Sequence, residues 1–279
     1  MKSDTNLKVL SSGFIGMLFF GAAFIVMGTV LPSLSAKFGL DTAQASILTG
    51  LLPFGILAGS LLFGPVVDRF GYKTLLIIST LVTMGGLELM VLSEDIEIVR
   101  IAILIMGIGG GIMNGESNAL VSEISTDKNR SSNLSILGIF YCVGAITLPL
   151  LFKLLPSQIT YVYIVSGTVA FMFLSVLYHI SVKFPQPKVK QGFPLVKAAK
   201  MAGDSTLLLL SFALFFQSAL EGISQNWIPT YLSTQNGLDP QNAMTALSAM
   251  VFGLLAGRIL LSIILNRISG ITILTTGMA

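Results

Sequence analysis

The chain alternates between long runs of apolar residues and short polar segments. A run of about 20 apolar residues is long enough to cross the hydrocarbon core of a bilayer as an α-helix. The eight predicted spans lie near residues 9–33, 44–66, 73–92, 99–122, 133–154, 159–182, 206–232 and 243–265. A ninth run begins at Ile271. The pattern therefore predicts an all-α polytopic membrane protein with eight transmembrane helices and the start of a ninth.

The composition supports this interpretation. Of the 279 residues, 53% are hydrophobic and 10% are charged, whereas a soluble domain carries about 25% charged residues. These proportions exclude a soluble enzyme and a nucleic-acid-binding protein. The chain has one cysteine, Cys142, and one histidine, His179. Both counts argue against a disulfide or a metal centre, so we expect neither a metal nor a cofactor.

The basic residues favour one orientation in the membrane, because cytoplasmic loops are enriched in Lys and Arg. If the N-terminus is cytoplasmic, twelve basic residues fall on the inner side and three on the outer side. The outer three are Lys37, Arg100 and Lys153. The inner twelve are Lys2, Lys8, Arg69, Lys73, Lys128, Arg130, Lys183, Lys188, Lys190, Lys197, Lys200 and Arg267. We therefore expect a multi-pass protein of the plasma or inner membrane with a cytoplasmic N-terminus.

The spans fall into two groups. Residues 183–203 are basic and contain prolines, which is typical of a cytoplasmic linker between helical bundles. This division predicts a six-helix bundle over 1–182 and a partial second bundle over 204–279.

An internal repeat supports the division into two bundles. Residues 54–59 (FGILAG) recur at 252–257 (FGLLAG), an offset of 198 (252 minus 54). Six spans intervene, so both copies cross the membrane in the same direction, as in transporters built from parallel repeats. A complete second copy needs four more helices. We therefore expect the chain to be part of a longer protein and not to transport alone.

Polar side chains inside apolar spans are costly and often mark functional sites. In span seven, Gln217, Glu221 and Gln225 are spaced four residues apart and share one helix face. We expect Glu221 to bind the solute or a coupling ion, with a structural hydrogen bond between helices as the alternative. Trp227 lies toward the outer end of this span, where it either stacks on a sugar ring or anchors the helix at the membrane interface.

Span four carries Asn114, Asn118 and Glu116. The two asparagines lie on one face, and Glu116 is about 200° away from Asn114 around the helix. Because an amide both donates and accepts hydrogen bonds, we expect the asparagines to line a cavity for a hydroxyl-bearing solute. Glu116 is a second candidate for coupling, and Tyr141 in span five is a further cavity-lining candidate. A ridge of small residues suited to close helix packing comprises Gly107, Gly111 and Gly115.

The segment between spans two and three, residues 64–76, reads GPVVDRFGYKTLL. It resembles the signature loop of the major facilitator superfamily, G-x-L-A-D-R-x-G-R-K-x-x-L. The matching residues are Gly64, Asp68, Arg69, Gly71, Lys73 and Leu76. Tyr72 stands where the family has arginine. A degenerate copy in the second half of the chain includes Asn266 and Arg267.

This resemblance implies two six-helix bundles that rock about a solute site at the midplane. It also implies that the loop latches the bundles together on the cytoplasmic side, with Glu123 and Arg130 as expected partners. The residues themselves indicate a tight turn at Gly64 and Gly71. They also indicate that Lys73 faces the anionic inner leaflet.

Spans four and five are similar to those of the fucose and glucose/galactose symporter branch of the superfamily. In that branch an acid precedes a span-four asparagine by four residues, and Asn114 occupies that place here. The branch also has an acid in span one, whereas residues 9–33 contain none. The resemblance therefore implies a sugar as solute, with coupling moved to Glu116 or Glu221.

Together these features predict a secondary active transporter rather than an enzyme. We expect it to move a small polar solute, a sugar first of all, by alternating access coupled to H⁺ or Na⁺. A drug or metabolite exporter of the same fold and a membrane sensor that does not transport are the alternatives. The expected partners are the solute and the lipid bilayer, with no nucleic acid, and a monomer is expected.

Overall fold

The computed structural model describes residues 2–156, 159–184, 203–264, 272 and 275–276. Within these residues, seven helices are long and apolar enough to cross a membrane. They are α1 (Lys2–Phe38), α2 (Thr42–Leu92), α3 (Ile96–Ile124), α4 (Arg130–Leu154), α5 (Tyr161–Ser181), α6 (Ser205–Asn236) and α7 (Pro240–Ile264). Most of the predicted linker, most of the predicted ninth span, and both Asn266 and Arg267 lie outside the described residues.

Short polar side chains fix where three of the helices begin. Asp41 and Gln44 form a reciprocal capping box at the start of α2, each side chain accepting from the other residue's backbone N–H. Asp95 and Asp204 cap the first turns of α3 and α6 in the same way, through one carboxylate each. Gly237 ends α6 in the left-handed conformation, with φ of 63°.

Helix α2 is 51 residues long and contains both the second and the third predicted span. It is interrupted at Gly71, whose φ of 78° and ψ of 163° belong to a region open essentially to glycine alone. The structure therefore places a turn at Gly71, where the sequence predicted one. Spans two and three are joined across a single non-helical residue, which is why the structure has seven helices where the sequence predicted eight.

The two halves of α2 lie on α3 in opposite directions. The contacting pairs are Gly55 with Leu104 and Gly59 with Ile108 in the first half, and Gly86 with Met106 and Thr83 with Gly109 in the second. In the first set, higher residue numbers in α2 pair with higher numbers in α3, so the two helices are parallel. In the second set, higher numbers in α2 pair with lower numbers in α3, so they are antiparallel. The chain therefore reverses at Gly71, and α3 packs against both halves.

The predicted ridge of small residues lets α3 lie directly on the first half of α2. A Cβ atom added to Gly107 would lie 2.7 Å from the carbonyl oxygen of Leu52. One added to Gly115 would lie 2.7 Å from Cδ1 of Phe63. Both distances are well inside van der Waals contact, so larger residues would force the helices apart. The predicted role of the ridge in close packing is confirmed.

Hydrogen bonds between neighbouring helix ends show which ends meet. At one end, Nζ of Lys73 donates to the carbonyl oxygens of Ile180 and Val182, at 2.5 and 3.0 Å. At the other end, Nζ of Lys37 donates to Oε1 of Glu94 at 3.0 Å. We call these the Lys73 end and the Lys37 end. The assignment of the Lys73 end to the cytoplasm stays a prediction from the distribution of basic residues.

We expect Gly71→Ala to destabilise the protein by about 1–3 kcal/mol, because alanine is strained at this φ and ψ. The measurement is the thermal unfolding midpoint of the purified protein in detergent. Gly85→Ala is the matched control, since Gly85 also lies in α2 and an added Cβ there meets nothing within 4 Å. Equal midpoints for the two variants would contradict the requirement for glycine at the turn.

Candidate functional site

Glu221 on α6 lies beside Tyr141 on α4, where the two helices face each other. The Tyr141 hydroxyl donates to Oε1 of Glu221 at 2.9 Å. The side-chain amides of Gln217 and Gln225 donate to Oε2 at 2.8 Å and to Oε1 at 3.0 Å. The carboxylate therefore accepts three hydrogen bonds from two helices. The sequence predicted all four residues as site residues, and the structure brings them together.

Tyr141 is the point where four helices meet. Its side chain is buried, with 7% of its surface exposed. Its ring centroid lies 5.8 Å from that of Phe20 and 6.1 Å from that of Phe24, both on α1. On the side of α7, Cζ of Arg258 lies 5.3 Å from the Tyr141 centroid, a cation–π contact. Tyr141 thus contacts α1, α6 and α7 at once.

Arg258 is a site residue that the sequence analysis missed. It is half-buried on α7 and lies over both Tyr141 and Gly138 of α4. A Cβ atom at Gly138 would clash with Nη1 of Arg258, so the absence of a side chain there makes room for the guanidinium. An arginine within an apolar span is as unusual as an acid there, and that is the signal that could have identified it.

Helices α1 and α6 touch through their backbones on the Lys37 side of Glu221. The backbone N–H of Gly28 donates to Oδ1 of Asn226 at 3.1 Å. A Cβ atom on Gly28 would clash with the carbonyl oxygen of Gln225. Gln225 is fully buried and Asn226 is 7% exposed. The two helices therefore close the interface on this side of the carboxylate.

The span-four candidates lie apart from Glu221. The Asn118 amide donates to Oδ1 of Asn114 at 3.1 Å, so the two asparagines bond to each other. Glu116 is fully buried against Leu76 and Ser79 of α2. The Ser79 hydroxyl donates to its own helix, at the carbonyl of Leu76. Among the described residues, no hydrogen bond links these three side chains to Glu221, and Glu116 points away from the asparagines as its spacing predicted.

Trp227 lies two residues beyond Gln225, about 200° around α6. Its side chain is half-buried and packs against the main apolar core rather than in the hydrogen-bond network of Glu221. The predicted choice between stacking on a solute and anchoring the helix stays open.

The signature loop is held by contacts that its sequence did not reveal. The Tyr72 hydroxyl donates to Oε2 of Glu123 at 2.9 Å. Glu123 therefore does contact the loop, through the residue that departs from the family pattern. Arg130 instead forms an ion pair with Asp127, with Nη1 and Oδ1 2.8 Å apart, and its Nε donates to the carbonyl of Ser122.

Lys73 has partners that its sequence did not reveal. Its ammonium donates to backbone carbonyls at the end of α5, and its expected position at the inner leaflet stays a prediction. The last carbonyls of a helix have no partner within the helix, and a lysine is well suited to satisfy them. The turn expected at Gly64 is wrong, since Gly64 is half-buried within the helical part of α2 and the chain reverses at Gly71. Asp68 and Arg69 are exposed.

Comparison with known families agrees with this architecture. The model of the Major Facilitator Superfamily matches residues 13–279. The chain belongs to this superfamily. It is a family of membrane transporters and not of enzymes, as the sequence predicted. The comparisons do not resolve the branch, so the similarity to the fucose and glucose/galactose symporters stays a prediction.

Curated relatives of this superfamily member share about a quarter of its residues. The MFS-type transporter YfkL of Bacillus subtilis is 26% identical over 272 residues, which cover 94% of the chain. The cis,cis-muconate transport protein of Acinetobacter baylyi is 25% identical and covers 91%. The 3-(3-hydroxy-phenyl)propionate transporter of Escherichia coli is 26% identical and covers 97%. The chain spans 65% to 68% of the length of these three relatives.

Solved structures show the same fold. A D-xylose–proton symporter superposes with a TM-score of 0.68 at 15% identity, over 94% of this chain and 69% of that one. A bacterial homologue of the human lysosomal transporter Spinster, in an inward-facing conformation, also gives 0.68 at 15% identity, over 88% and 60%. The protein is therefore an all-α membrane protein of the major facilitator fold.

We expect Gly28→Ala to loosen the contact between α1 and α6, because the added methyl group meets the Gln225 carbonyl. Overpacking of this kind costs about 1–3 kcal/mol, and the thermal unfolding midpoint in detergent should fall accordingly. Gly222→Ala is the matched control on the same interface, since its Cβ would lie 3.4 Å from Phe24, an ordinary contact. A midpoint that falls as far in the control would show that the backbone approach at Gly28 is not the cause.

Proposed function

We propose that the protein containing this chain is a secondary transporter that moves a small polar solute by alternating access, coupled to a proton. The observation that carries the proposal is the carboxylate of Glu221, which is bonded by Tyr141 across the α4–α6 interface and by two glutamines of its own helix. An acid within a membrane span is costly, and in transporters such acids mark solute or ion pathways.

Protonation of Glu221 changes this interface directly. The carboxylate accepts all three of its hydrogen bonds, whereas a protonated carboxyl group must donate one through its own O–H. The three hydrogen bonds to Glu221 then lose the assistance of its negative charge, and charge-assisted hydrogen bonds are about twice as strong as neutral ones. The bond from Tyr141 is the one that joins α4 to α6, so the two helices are then freer to separate. Proton uptake would in this way favour one orientation of the bundles.

A proton fits this site better than Na⁺. The groups that bond to the carboxylate are two amide N–H donors and the Tyr141 hydroxyl, which also lies 3.4 Å from Oε1 of Gln225. A metal cation needs oxygen lone pairs in these positions instead. We therefore take the proton as the coupling ion.

The contact between α1 and α6 is explained if the protein has two parallel copies of a six-helix unit. Eight spans of these two copies lie in this chain. Residues that are equivalent in two copies meet only near the axis that relates the copies. Gly28 bonds to Asn226, and Phe24 contacts Gly222, and both pairs are separated by the repeat offset of 198. These contacts support a two-fold axis between α1 and α6, with bundles over 1–182 and 204–279 joined by a linker.

The Lys73 end is the proposed cytoplasmic end, because most basic residues lie in its loops. There Asp68 and Arg69 are exposed and available to a second bundle, as the latch role of the signature loop requires.

Two classes of solute are compatible with the site. A sugar suits the amide, hydroxyl and carboxylate groups around Glu221, because each of its hydroxyls both donates and accepts. An organic acid is the second candidate, since two of the relatives are named as transporters of cis,cis-muconate and of 3-(3-hydroxy-phenyl)propionate.

We expect Glu221→Gln to abolish accumulation of solute driven by a pH gradient, because glutamine cannot take up the proton. The measurement is uptake of radiolabelled sugars and aromatic acids into proteoliposomes that contain the protein as its gene encodes it. Glu88→Gln is the matched control. Glu88 is also an acid within a span, but it accepts a hydrogen bond from Ser166, away from this interface.

Each outcome of this experiment separates the alternatives. Unchanged pH-driven accumulation by Glu221→Gln would overturn the coupling role. Dependence on Na⁺ instead of pH would overturn the choice of ion. A wild-type protein that extrudes lipophilic cations and accumulates neither solute class would be an exporter, and one that binds a solute without flux would be a sensor.

A further inference from the structure

Arg258 places a positive charge near Glu221 without forming an ion pair with a described acid. Arg258 is half-buried, and its guanidinium contacts the ring of Tyr141 and the backbone at Gly138. The ion pairs among the described residues involve Lys37, Arg100 and Arg130. A positive charge within an apolar span is therefore positioned by neutral groups.

The neighbours of Arg258 fix its position without occupying its hydrogen bonds. An arginine has five N–H donors in a planar fork, and an aromatic face satisfies none of them in the plane of the fork. The cation–π contact with Tyr141 instead holds the guanidinium in place, while the absence of a side chain at Gly138 leaves room for it. Such a fork is matched by an anion that presents two oxygens, a carboxylate or a phosphate, and the charge balance below favours the carboxylate.

We propose that Arg258 is the binding residue for a carboxylate group of the transported solute, which makes the solute an organic acid rather than a sugar. This inference rests on the proposed transport function and specifies its solute class. The Tyr141 side chain separates the two charges, with Glu221 at its hydroxyl and Arg258 at its ring. The solute carboxylate binds on the Arg258 side, and the proton binds Glu221.

The charge balance favours a carboxylate over the other solutes. In the empty site, Glu221 and Arg258 carry charges that sum to zero. A proton on Glu221 together with one carboxylate on Arg258 adds one positive and one negative charge, so the loaded site also sums to zero. A neutral sugar with a proton leaves one positive charge. A phosphate ester carries a charge of about −1.5 to −2, so together with Arg258 and a protonated Glu221 it leaves a negative charge of about −0.5 to −1.

This balance matters because the site crosses the membrane field in both its empty and its loaded form. Moving one elementary charge through 100 mV costs about 2.3 kcal/mol. If both the empty and the loaded site are neutral, neither step of the transport cycle does work against the membrane potential. Symport of one proton with one monocarboxylate should therefore be insensitive to membrane potential, whereas symport of a proton with a sugar should not.

The first test is ligand-dependent thermal stability of the purified protein, as its gene encodes it, in detergent. The probes are the monocarboxylates benzoate and 3-phenylpropionate, with benzamide and 3-phenylpropionamide as their uncharged counterparts and D-xylose as the sugar. We expect at least one of the two carboxylates, at about five times its Kd, to raise the unfolding midpoint by about 2–4 °C. Its uncharged counterpart should have no effect. No stabilisation by either acid would overturn the proposal, whether or not D-xylose stabilises the protein.

Arg258 variants then test whether this residue binds the carboxylate. We expect Arg258→Gln to raise the Kd of the stabilising acid by about 100-fold, the loss of charge-assisted hydrogen bonds. Arg258→Lys keeps the charge but loses the fork, so a smaller increase, about tenfold, is expected. The Arg258→Lys variant also provides the test if Arg258→Gln does not fold. The control is Arg100→Gln, since Arg100 pairs with Glu97 outside the site.

The last measurement separates this proposal from the proposed function. Uptake of the stabilising acid into proteoliposomes is compared with and without a potassium diffusion potential at fixed pH gradient. Unchanged uptake supports electroneutral symport with Arg258 as receptor. Carboxylate binding that survives Arg258→Gln, or uptake that follows the potential, overturns it. Glu221-dependent uptake of D-xylose would overturn the solute class alone and leave the transport function in place.

Discussion

A charge inside the hydrocarbon layer costs about 2.5–3.5 kcal/mol on insertion scales unless protein groups satisfy it, and the centre of this molecule is arranged around that constraint. Glu221 is satisfied by three hydrogen-bond donors, one of them across the α4–α6 interface. Arg258 is held over the ring of the same tyrosine that serves Glu221. Through Tyr141, α4 therefore contacts both charged side chains, although neither of them belongs to α4.

Close backbone contacts make this arrangement possible. Gly28 lets α1 meet α6, Gly107 lets α3 meet α2, and Gly138 admits the Arg258 side chain next to α4. Without Gly28, α1 and α6 would stand farther apart next to Glu221, and without Gly138 the guanidinium of Arg258 would be displaced from α4. The polar centre thus depends on small residues that carry no chemistry themselves.

Features that depend on local sequence were predictable. Apolar run length identified the segments that form the seven apolar helices, although it divided α2 into two spans. Four-residue spacing placed Gln217, Glu221 and Gln225 on one face, and the signature loop located the turn at Gly71. Features that depend on the partner of a side chain were not. The carbonyl groups that bind Lys73 at the end of α5 have no sequence signature. The pairing of the span-four asparagines with each other likewise became visible only in the structure.

Tyr141 connects the charges of Glu221 and Arg258. Its hydroxyl donates to Glu221, and its ring faces Arg258, so one rigid side chain contacts both. The attraction between a cation and an aromatic face depends on where the ring lies. Protonation of Glu221 would remove the negative charge that strengthens the hydrogen bond from the hydroxyl, so the ring would be held less firmly at that end. A proton at one charge therefore alters the surface on which the other rests, without direct contact between them.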